Sequence, residues 1–344
     1  MLYKLFGKSG LRVSEICLGT MTFGTEWGTG ADKDESKKIF DAFANQGGNF
    51  LDTANRYTEG TSEKWVGEFI ASQRDYFVVA TKYTLYDDRK DPNASGNHRK
   101  NLRRSVEESL KRMKTEYIDL LWLHMWDFTT GVDEVMRSLE DLIRSGKVNY
   151  IGISDTPAWI VAKANTLAEL RGWEAFVGLQ IEYSLIQRTP ERDLLPMAKD
   201  FGMAITPWSP LGAGMLTGKY NDGIDKEGRL TESSRKINDK NRQIAKKVSE
   251  FAQKLGYSSA QVALNWLRQK DEQIMPIVGS RKVSQIEDCL GCLRFELPNE
   301  MMRELDAISE IELGFPHDFY SVPTVQEVIF GDNVKKIINH KIHP

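Results

Sequence analysis

The chain has 344 residues, of which 40% are hydrophobic and 28% are charged, and its formal net charge at pH 7 is -3. This composition is typical of a globular protein, and the small negative charge gives no general attraction to nucleic acid or to an anionic membrane. Intrinsic disorder, a nucleic-acid partner and membrane association are therefore not expected.

The chain opens with a predicted β-hairpin, in which YKLF and LRVSEI flank a turn over residues 7–10. Short apolar segments then alternate with segments of helical periodicity, and eight of them are predicted strands. These strands cover residues 16–18, 49–51, 77–80, 118–123, 150–153, 177–181, 204–205 and 275–278. Strands that alternate with helices indicate a parallel sheet, and eight such units most simply close into a (β/α)8 barrel.

The helical segments carry apolar residues at helical spacing, as in Leu102, Val106 and Leu110 of the third helix. Asp32 and Glu35 have the spacing of a capping box ahead of the first helix. Two helices, over 239–255 and 259–269, are predicted between strands seven and eight instead of the usual one. The competing architecture is a doubly wound open sheet, but GTMTFGTEWGTG after the first barrel strand does not match the G-x-G-x-x-G spacing.

The small number of cysteines and the lack of a recognisable signal peptide or membrane span indicate a cytoplasmic protein. No segment has the apolar run of a signal peptide, and no stretch reaches the ~18 apolar residues of a membrane span. The three cysteines, Cys17, Cys289 and Cys292, are too few for a disulfide framework. We expect one domain over residues 1–344, with residues 1–15 as a hairpin cap and residues 314–344 as a C-terminal tail.

Four polar residues, Asp52, Tyr57, Lys82 and His124, lie at or just after the C-terminal ends of predicted strands. In a barrel these ends meet at one mouth, so we expect the four side chains to share a pocket. A neighbouring ammonium is expected to lower the pKa of Tyr57 and to make it a general acid, with Asp52 holding Lys82. His124 would orient a bound carbonyl, and the hydride that no side chain can store would come from a nicotinamide cofactor.

Seven segments resemble the aldo-keto reductases and occur in the order of that family. They are FLDTANRY, ATK, YIDLLWLH, GISD, LQIEYS, TPWSPLGAGMLTGKY and PIVGSRKVSQIED. The run GISDTPAW is similar to the aryl-alcohol-dehydrogenase-like branch, as in its bacterial and fungal members. The resemblance implies a (β/α)8 barrel that binds NADPH or NADP+ without a Rossmann motif. It also implies catalytic roles for Asp52, Tyr57, Lys82 and His124, with Tyr57 as the proton donor.

The resemblance also implies where the cofactor binds. The nicotinamide carboxamide would be held by Ser154, Asp155 and Gln180, with Trp208 against the cofactor; the family usually has Asn in place of Asp155, and a carboxylate can only accept. Further expected cofactor residues are Thr20, Met21, Ser209, Pro210, Leu211, Gly214, Lys219, Arg229, Gly279, Ser280, Arg281, Gln285 and Asp288. Arg281 with Lys282 could bind a 2′-phosphate, which favours NADPH over NADH.

The substrate is expected to be a small carbonyl compound or alcohol. Trp27, Trp126 and Phe128 fall in loops expected at the barrel mouth, where aromatic walls suit aryl or apolar aldehydes. No metal site is expected, since Cys289 and Cys292 have no second pair and His340 and His343 lack a third ligand. Two other functions stay open: an NADPH-binding partner module that resembles the potassium-channel β-subunits, and a Schiff-base aldolase that uses Lys82.

Overall fold

The computed structural model describes residues 1–221, 223 and 228–338. Its N-terminal hairpin pairs β1 (Tyr3–Leu5) with β2 (Arg12–Ser14) in antiparallel fashion, as predicted. The last six residues of the predicted tail, including His340 and His343, lie outside the described residues, and so do five residues of the loop after the seventh barrel strand.

A sheet of eight parallel strands forms the body of the molecule. In chain order the strands are β3 (Cys17–Gly19), β4 (Phe50–Asp52), β5 (Val78–Tyr83), β6 (Ile118–Leu123), β7 (Val148–Ser154), β8 (Gly178–Glu182), β9 (Ala204–Trp208) and β10 (Ile277–Gly279). From β3 to β9 each strand pairs with the next one in the chain, and β10 pairs with β3. The backbone of Ile205 on β9 bonds to Gln273 and Met275 just ahead of β10, at 2.8 and 2.9 Å, so the barrel is nearly closed. The predicted (β/α)8 fold is confirmed.

Within the described residues, ten α-helices accompany the strands. They are α1 (Lys33–Asn45), α2 (Thr61–Ile70), α3 (Arg99–Met113), α4 (Val132–Arg144), α5 (Ala158–Arg171), α6 (Leu194–Asp200), α7 (Asp239–Leu255), α8 (Ser259–Lys270), α9 (Val283–Leu290) and α10 (Asn299–Ile308). Leu102, Val106 and Leu110 on α3 are buried, as their spacing predicts. The two predicted helices between the seventh and eighth barrel strands are α7 and α8.

The predicted capping box of α1 is only half formed. Asp32 accepts a hydrogen bond from the Glu35 amide at 2.9 Å, as an N-cap should. The Glu35 side chain does not return to Asp32; it accepts from the amide of Val283 at 2.7 Å. The prediction of a full box is therefore wrong, because Glu35 satisfies the first turn of α9 and ties α1 to the helix that follows β10.

Large apolar side chains fill the lower part of the barrel, and two glycines make room for them. Trp122 on β6 is fully buried, and Phe6 meets it edge to face with ring centroids 6.2 Å apart. A Cβ on Gly152 of β7 would lie 2.3 Å from the Trp122 ring, and a Cβ on Gly178 of β8 would lie 2.6 Å from Phe6. Phe6, which follows β1, thus plugs the end of the barrel where the strands begin and leaves the other end open.

Residues from Glu310 onward form a second compact unit, separate from Met1–Ser309. It contains the short helices α11 (His317–Tyr320) and α12 (Pro323–Phe330), followed by a 3-10 turn over Gly331–Lys336. In the part of the chain that the structure describes, no helix combines the length and apolar character that crossing a membrane requires.

Candidate active site

Three of the four predicted catalytic residues lie at or directly after the ends of adjacent strands. Asp52 is the last residue of β4, Lys82 is next to last in β5, and His124 directly follows β6. Tyr57 begins a 3-10 turn (Tyr57–Gly60) in the connection after β4. Because β4, β5 and β6 are neighbours in the parallel sheet, their C-terminal ends bring these side chains together at the open mouth.

Asp52 and Lys82 form a buried ion pair. Their side chains are 3% and 0% exposed, and Lys82 Nζ donates to an Asp52 oxygen and to the carbonyl of Thr53, the latter at 2.8 Å. Gln180 Nε2 donates to the other oxygen of Asp52 at 2.9 Å. Burial lowers the pKa of Lys82, but the charge and hydrogen bond of Asp52 together with the interaction with Tyr57 outweigh the effect of burial, and the pKa is higher than usual. Lys82 is therefore an ammonium at every working pH.

Tyr57 is half-buried beside this pair, with Lys82 Nζ 4.7 Å from its ring centroid. Burial raises the pKa of the phenol, and Lys82 lowers it only in part, so that the pKa lies above its usual value. The expectation that Lys82 would bring the pKa of Tyr57 toward neutrality is therefore wrong. The phenol stays protonated near neutral pH, which suits it to give a proton rather than to take one.

His124 faces Tyr57 with ring centroids 6.1 Å apart and the planes at 83°. Burial lowers the pKa of His124 to about 3, and the charge of Lys82 acts in the same direction. Its Nδ1 is buried and has no hydrogen-bond partner among the described residues. The imidazole is therefore neutral, and it can donate one hydrogen bond to a polar group in the cavity.

These side chains border a cavity of about 780 Å³ at the mouth of the barrel. Most of the predicted site residues line it: Met21, Trp27, Asp52, Tyr57, His124, Ser154, Asp155, Gln180, Trp208, Ser209, Pro210, Leu211, Gly214, Lys219, Arg229, Gly279, Arg281, Gln285 and Asp288. Lys82, Thr20 and Ser280 are buried and do not line the cavity. Trp126 packs against the apolar core, and Phe128 is 70% exposed outside the cavity.

One wall of the cavity carries the residues expected to hold the nicotinamide. Ser154 pairs with Gln180 across β7 and β8, and Asp155 follows directly with a left-handed backbone (φ 41°). Trp208, at the end of β9, donates from its indole N–H to an Asp155 oxygen at 3.0 Å. Burial raises the pKa of Asp155, and the bond from Trp208 offsets this only in part. Polar groups and an indole face thus share one wall.

Another part of the lining is cationic. Lys219, Arg229 and Arg281 all border the cavity, and the pKa of Arg229 is lowered by loss of solvation and then by the charge of Arg281. Two guanidinium groups that repel each other in this way favour an anionic ligand between them. Gly214 has φ 94°, and a Cβ there would lie 2.9 Å from Lys219 Cε, so only glycine fits this turn.

Gln285 and Asp288, two of the residues expected to bind the cofactor, make hydrogen bonds within the protein. Gln285 accepts from the Arg281 amide at 2.9 Å, which fixes the loop between β10 and α9. Asp288 accepts from Ser258 and Gln261 at 2.9 and 3.0 Å, which ties α9 to the start of α8. Burial raises the pKa of both Cys289 and Cys292, and both are free thiols, so they are poor nucleophiles and poor metal ligands.

A cluster of aromatic and charged side chains borders the mouth of the barrel, and only Trp27 and Tyr57 among them are predicted from the sequence. Trp27 meets the Tyr57 ring edge on at 6.4 Å and donates to Glu59 at 3.2 Å. Glu59 forms an ion pair with Arg56, whose guanidinium lies 4.5 Å from the centre of the Tyr86 ring. Arg56 directly precedes Tyr57, so its place in FLDTANRY could have identified it as a cavity residue.

Other lining residues were not predicted at all. Thr22, Leu85, Glu182, Thr217, Lys236, Ser258 and Ala260 border the same cavity. Lys236 forms an ion pair with Glu182, which lies 54 positions earlier at the end of β8. A local sequence pattern cannot predict an ion pair between residues so far apart in the chain.

Comparison with known proteins shows what the chain is similar to. The model of the aldo/keto reductase family matches residues 15–310. Norsolorinic acid reductase of Aspergillus flavus is 40% identical, covering 93% of this chain and 84% of that protein; norsolorinic acid reductase stcV of Emericella nidulans is 42% identical, covering 90% and 82%. An aryl-alcohol dehydrogenase (NADP+) of Phanerodontia chrysosporium is 39% identical, covering 96% and 89%. All three are similar over nearly the whole chain.

Proposed function

The chain belongs to the aldo/keto reductase family, and on that premise we propose that it interconverts aromatic aldehydes or ketones with their alcohols, using NADPH and NADP+. The observation that carries the proposal is the group at the mouth: a protonated phenol and a neutral imidazole border one cavity, and a buried ammonium lies 4.7 Å from the centre of the phenol ring. This set can bind a carbonyl oxygen and protonate it. A bound nicotinamide would supply the hydride that the residues cannot.

Each side chain has one task in the proposed reduction. The N–H of His124 donates to the carbonyl oxygen and orients it, while Tyr57 transfers its phenolic proton to that oxygen as negative charge develops. The Lys82 ammonium then stabilises the phenolate that remains, and Asp52 keeps the ammonium charged and fixed. In the oxidative direction the same phenolate takes the proton from the alcohol.

The cavity lining fits a phosphorylated dinucleotide. Trp208 offers an aromatic face beside Ser154, Asp155 and Gln180, and the cations Arg229 and Arg281 border another part of the same cavity. A guanidinium can bind a phosphate through two parallel N–H groups, which supports NADPH over NADH. The name of the relative from Phanerodontia chrysosporium, which includes NADP+, agrees with this choice.

The substrate class is inferred from the mouth and from the relatives. Two relatives are named for norsolorinic acid and one for aryl alcohols. In this chain Trp27 lies edge on to Tyr57, so a flat aromatic carbonyl could pack against its ring beside the proton donor. We therefore propose aryl carbonyl compounds as substrates in preference to aliphatic ones.

Neither competing function has an observation in its favour. A Schiff-base aldolase needs a neutral lysine, whereas Asp52 holds Lys82 as an ammonium. A partner module like the channel β-subunits would carry Asn where this chain has His124, and the neutral imidazole at the cavity supports an enzyme.

The proposed function is tested by the consumption of NADPH with an aryl aldehyde, followed at 340 nm, in the wild type and in Tyr57→Phe. The variant removes one oxygen and keeps the ring contacts with Trp27 and His124. Loss of one placed donor should lower kcat by about a hundredfold or more, with NADPH affinity unchanged. Near-full activity of the variant would exclude Tyr57 as the proton donor, and no turnover by the wild type on any aryl carbonyl would refute the substrate class.

A further inference from the structure

We propose that Asp155 sets the balance between the two oxidation states of the bound cofactor, because its carboxylate favours the oxidised form. The inference rests on the proposed function, since it assumes that a nicotinamide ring binds at the wall formed by Ser154, Asp155, Gln180 and Trp208. An amide at this position would hold the same hydrogen bond from Trp208 without the charge. The carboxylate is therefore the feature to explain.

The backbone conformation at the end of β7 places Asp155 at this wall of the cavity. The residue follows the last residue of β7, its amide donates to the carbonyl of Gln180 at 3.3 Å, and its φ of 41° is left-handed. Ser154 and Gln180, which pair across β7 and β8, border the same cavity as Asp155. Asp155 is thus part of the cavity wall and not a residue of the outer loop surface.

One interaction holds the carboxylate, and it comes from a neutral group. Trp208 Nε1 donates to Oδ1 at 3.0 Å. Within the residues that the structure describes, Asp155 has no ion pair and no other side-chain hydrogen bond. Asp155 is exposed to the cavity and no cation neutralises its carboxylate, so it attracts a positive charge that enters the cavity and displaces the water there.

The other charges at this end of the cavity cancel in pairs. Asp52 neutralises the charge of Lys82. Glu182 and Lys236 form a second ion pair, and Glu59 and Arg56 form a third. Tyr57 and His124 are uncharged near neutral pH. Among these groups the negative charge of Asp155 is the one that no ion pair neutralises.

The negative charge of Asp155 interacts differently with NADP+ and with NADPH. The oxidised nicotinamide ring carries one positive charge that the reduced ring lacks, so the carboxylate attracts the first and not the second. We expect Asp155 to favour NADP+ over NADPH by about tenfold relative to an uncharged residue, which is about 1.4 kcal/mol. For a two-electron couple a tenfold ratio is about 30 mV, by which Asp155 lowers the reduction potential of the bound cofactor.

The test compares dissociation constants of NADP+ and NADPH for the wild type and for Asp155→Asn, measured by titration calorimetry. Asparagine keeps the acceptor for Trp208 Nε1 and removes only the charge. We expect NADP+ to bind about tenfold more weakly to the variant and NADPH to change by less than about twofold. An unchanged ratio of the two constants would overturn the inference.

Two further variants test whether the change in the ratio of dissociation constants comes from the charge at residue 155. Asp200→Asn makes the same charge change at the exposed last residue of α6, ahead of β9 and so away from the mouth, and should leave the ratio unchanged. Trp208→Phe removes the N–H donor and keeps the carboxylate; if it shifts the ratio as much as Asp155→Asn does, then Asp155 acts only by positioning Trp208 and the inference is wrong. If Asp155→Asn does not fold, Asp155→Ser must give the same shift.

The outcomes also separate this inference from the proposed function. If the wild type binds neither NADP+ nor NADPH, the proposed function itself fails. If it binds both and the ratio does not respond to the charge at residue 155, the proposed function stands and the role of Asp155 does not.

Discussion

Replacement of Lys82 by methionine should destabilise the barrel by about 3 kcal/mol or more. The ammonium and the Asp52 carboxylate are 0% and 3% exposed, so neither partner can be solvated in place. Removal of one partner of a buried ion pair typically costs about 3–5 kcal/mol, because an uncompensated charge is left behind. The hydrogen bond from Gln180 to Asp52 remains, which places our expectation at the lower end of that range.

The assay is the free energy of unfolding from urea titration at pH 7, for Lys82→Met, Asp52→Asn and the double variant. The double variant has no buried charge to leave uncompensated, so it should regain at least half of the stability lost in Lys82→Met. Its reductive activity should stay low, because the ammonium beside Tyr57 is still missing. A loss of less than about 1 kcal/mol in Lys82→Met, or costs that simply add in the double variant, would refute the reasoning.

Three other predictions follow from the same structure. Gly152→Ala should lower the melting temperature strongly, because its Cβ would lie 2.3 Å from the Trp122 ring; circular dichroism measures the shift. Arg281→Ala should raise the KM for NADPH by about tenfold and the KM for NADH by less than about twofold, in steady-state kinetics. The reductive kcat should stay flat from about pH 6 to about pH 9, because the pKa of His124 is about 3 and burial raises that of Tyr57.

Each of these has a control or a contradicting result. Gly10→Ala meets no atom within 4 Å and should leave the melting temperature unchanged. An equal rise in the KM for NADPH and the KM for NADH in Arg281→Ala would mean that Arg281 does not bind the 2′-phosphate. The sign of the pH effect is definite: the reductive rate needs protonated Tyr57 and falls only as the pH rises past its raised pKa. A break between about pH 6 and 7 would instead indicate a titrating histidine.

Much of this fold could be predicted because its signals are local. Apolar runs and helical periodicity locate all eight barrel strands to within a few residues, and the parallel order follows from their alternation with helices. The meeting of Asp52, Lys82 and His124 follows from the same rule, because each stands near a strand end.

The electrostatics of the site could not be predicted in the same way. The depth at which Tyr57 is buried depends on packing from distant segments, and that depth decides whether Lys82 or desolvation controls the pKa. The contact of Glu35 with Val283 joins residues 248 positions apart, so the half-formed capping box has no local signature. The indole bond to Asp155 likewise depends on how β7 and β9 sit around β8.

The central claim is tested most directly by following deuterium from NADPH labelled at C4 of the nicotinamide. The wild type is incubated with an aryl aldehyde, and the alcohol is examined by proton NMR and mass spectrometry. We predict that, for one of the two C4 epimers, one deuterium reaches the former carbonyl carbon in each turnover while the hydroxyl proton comes from water. Alcohol formed without deuterium from either epimer, or no alcohol formed, would contradict hydride transfer at this site.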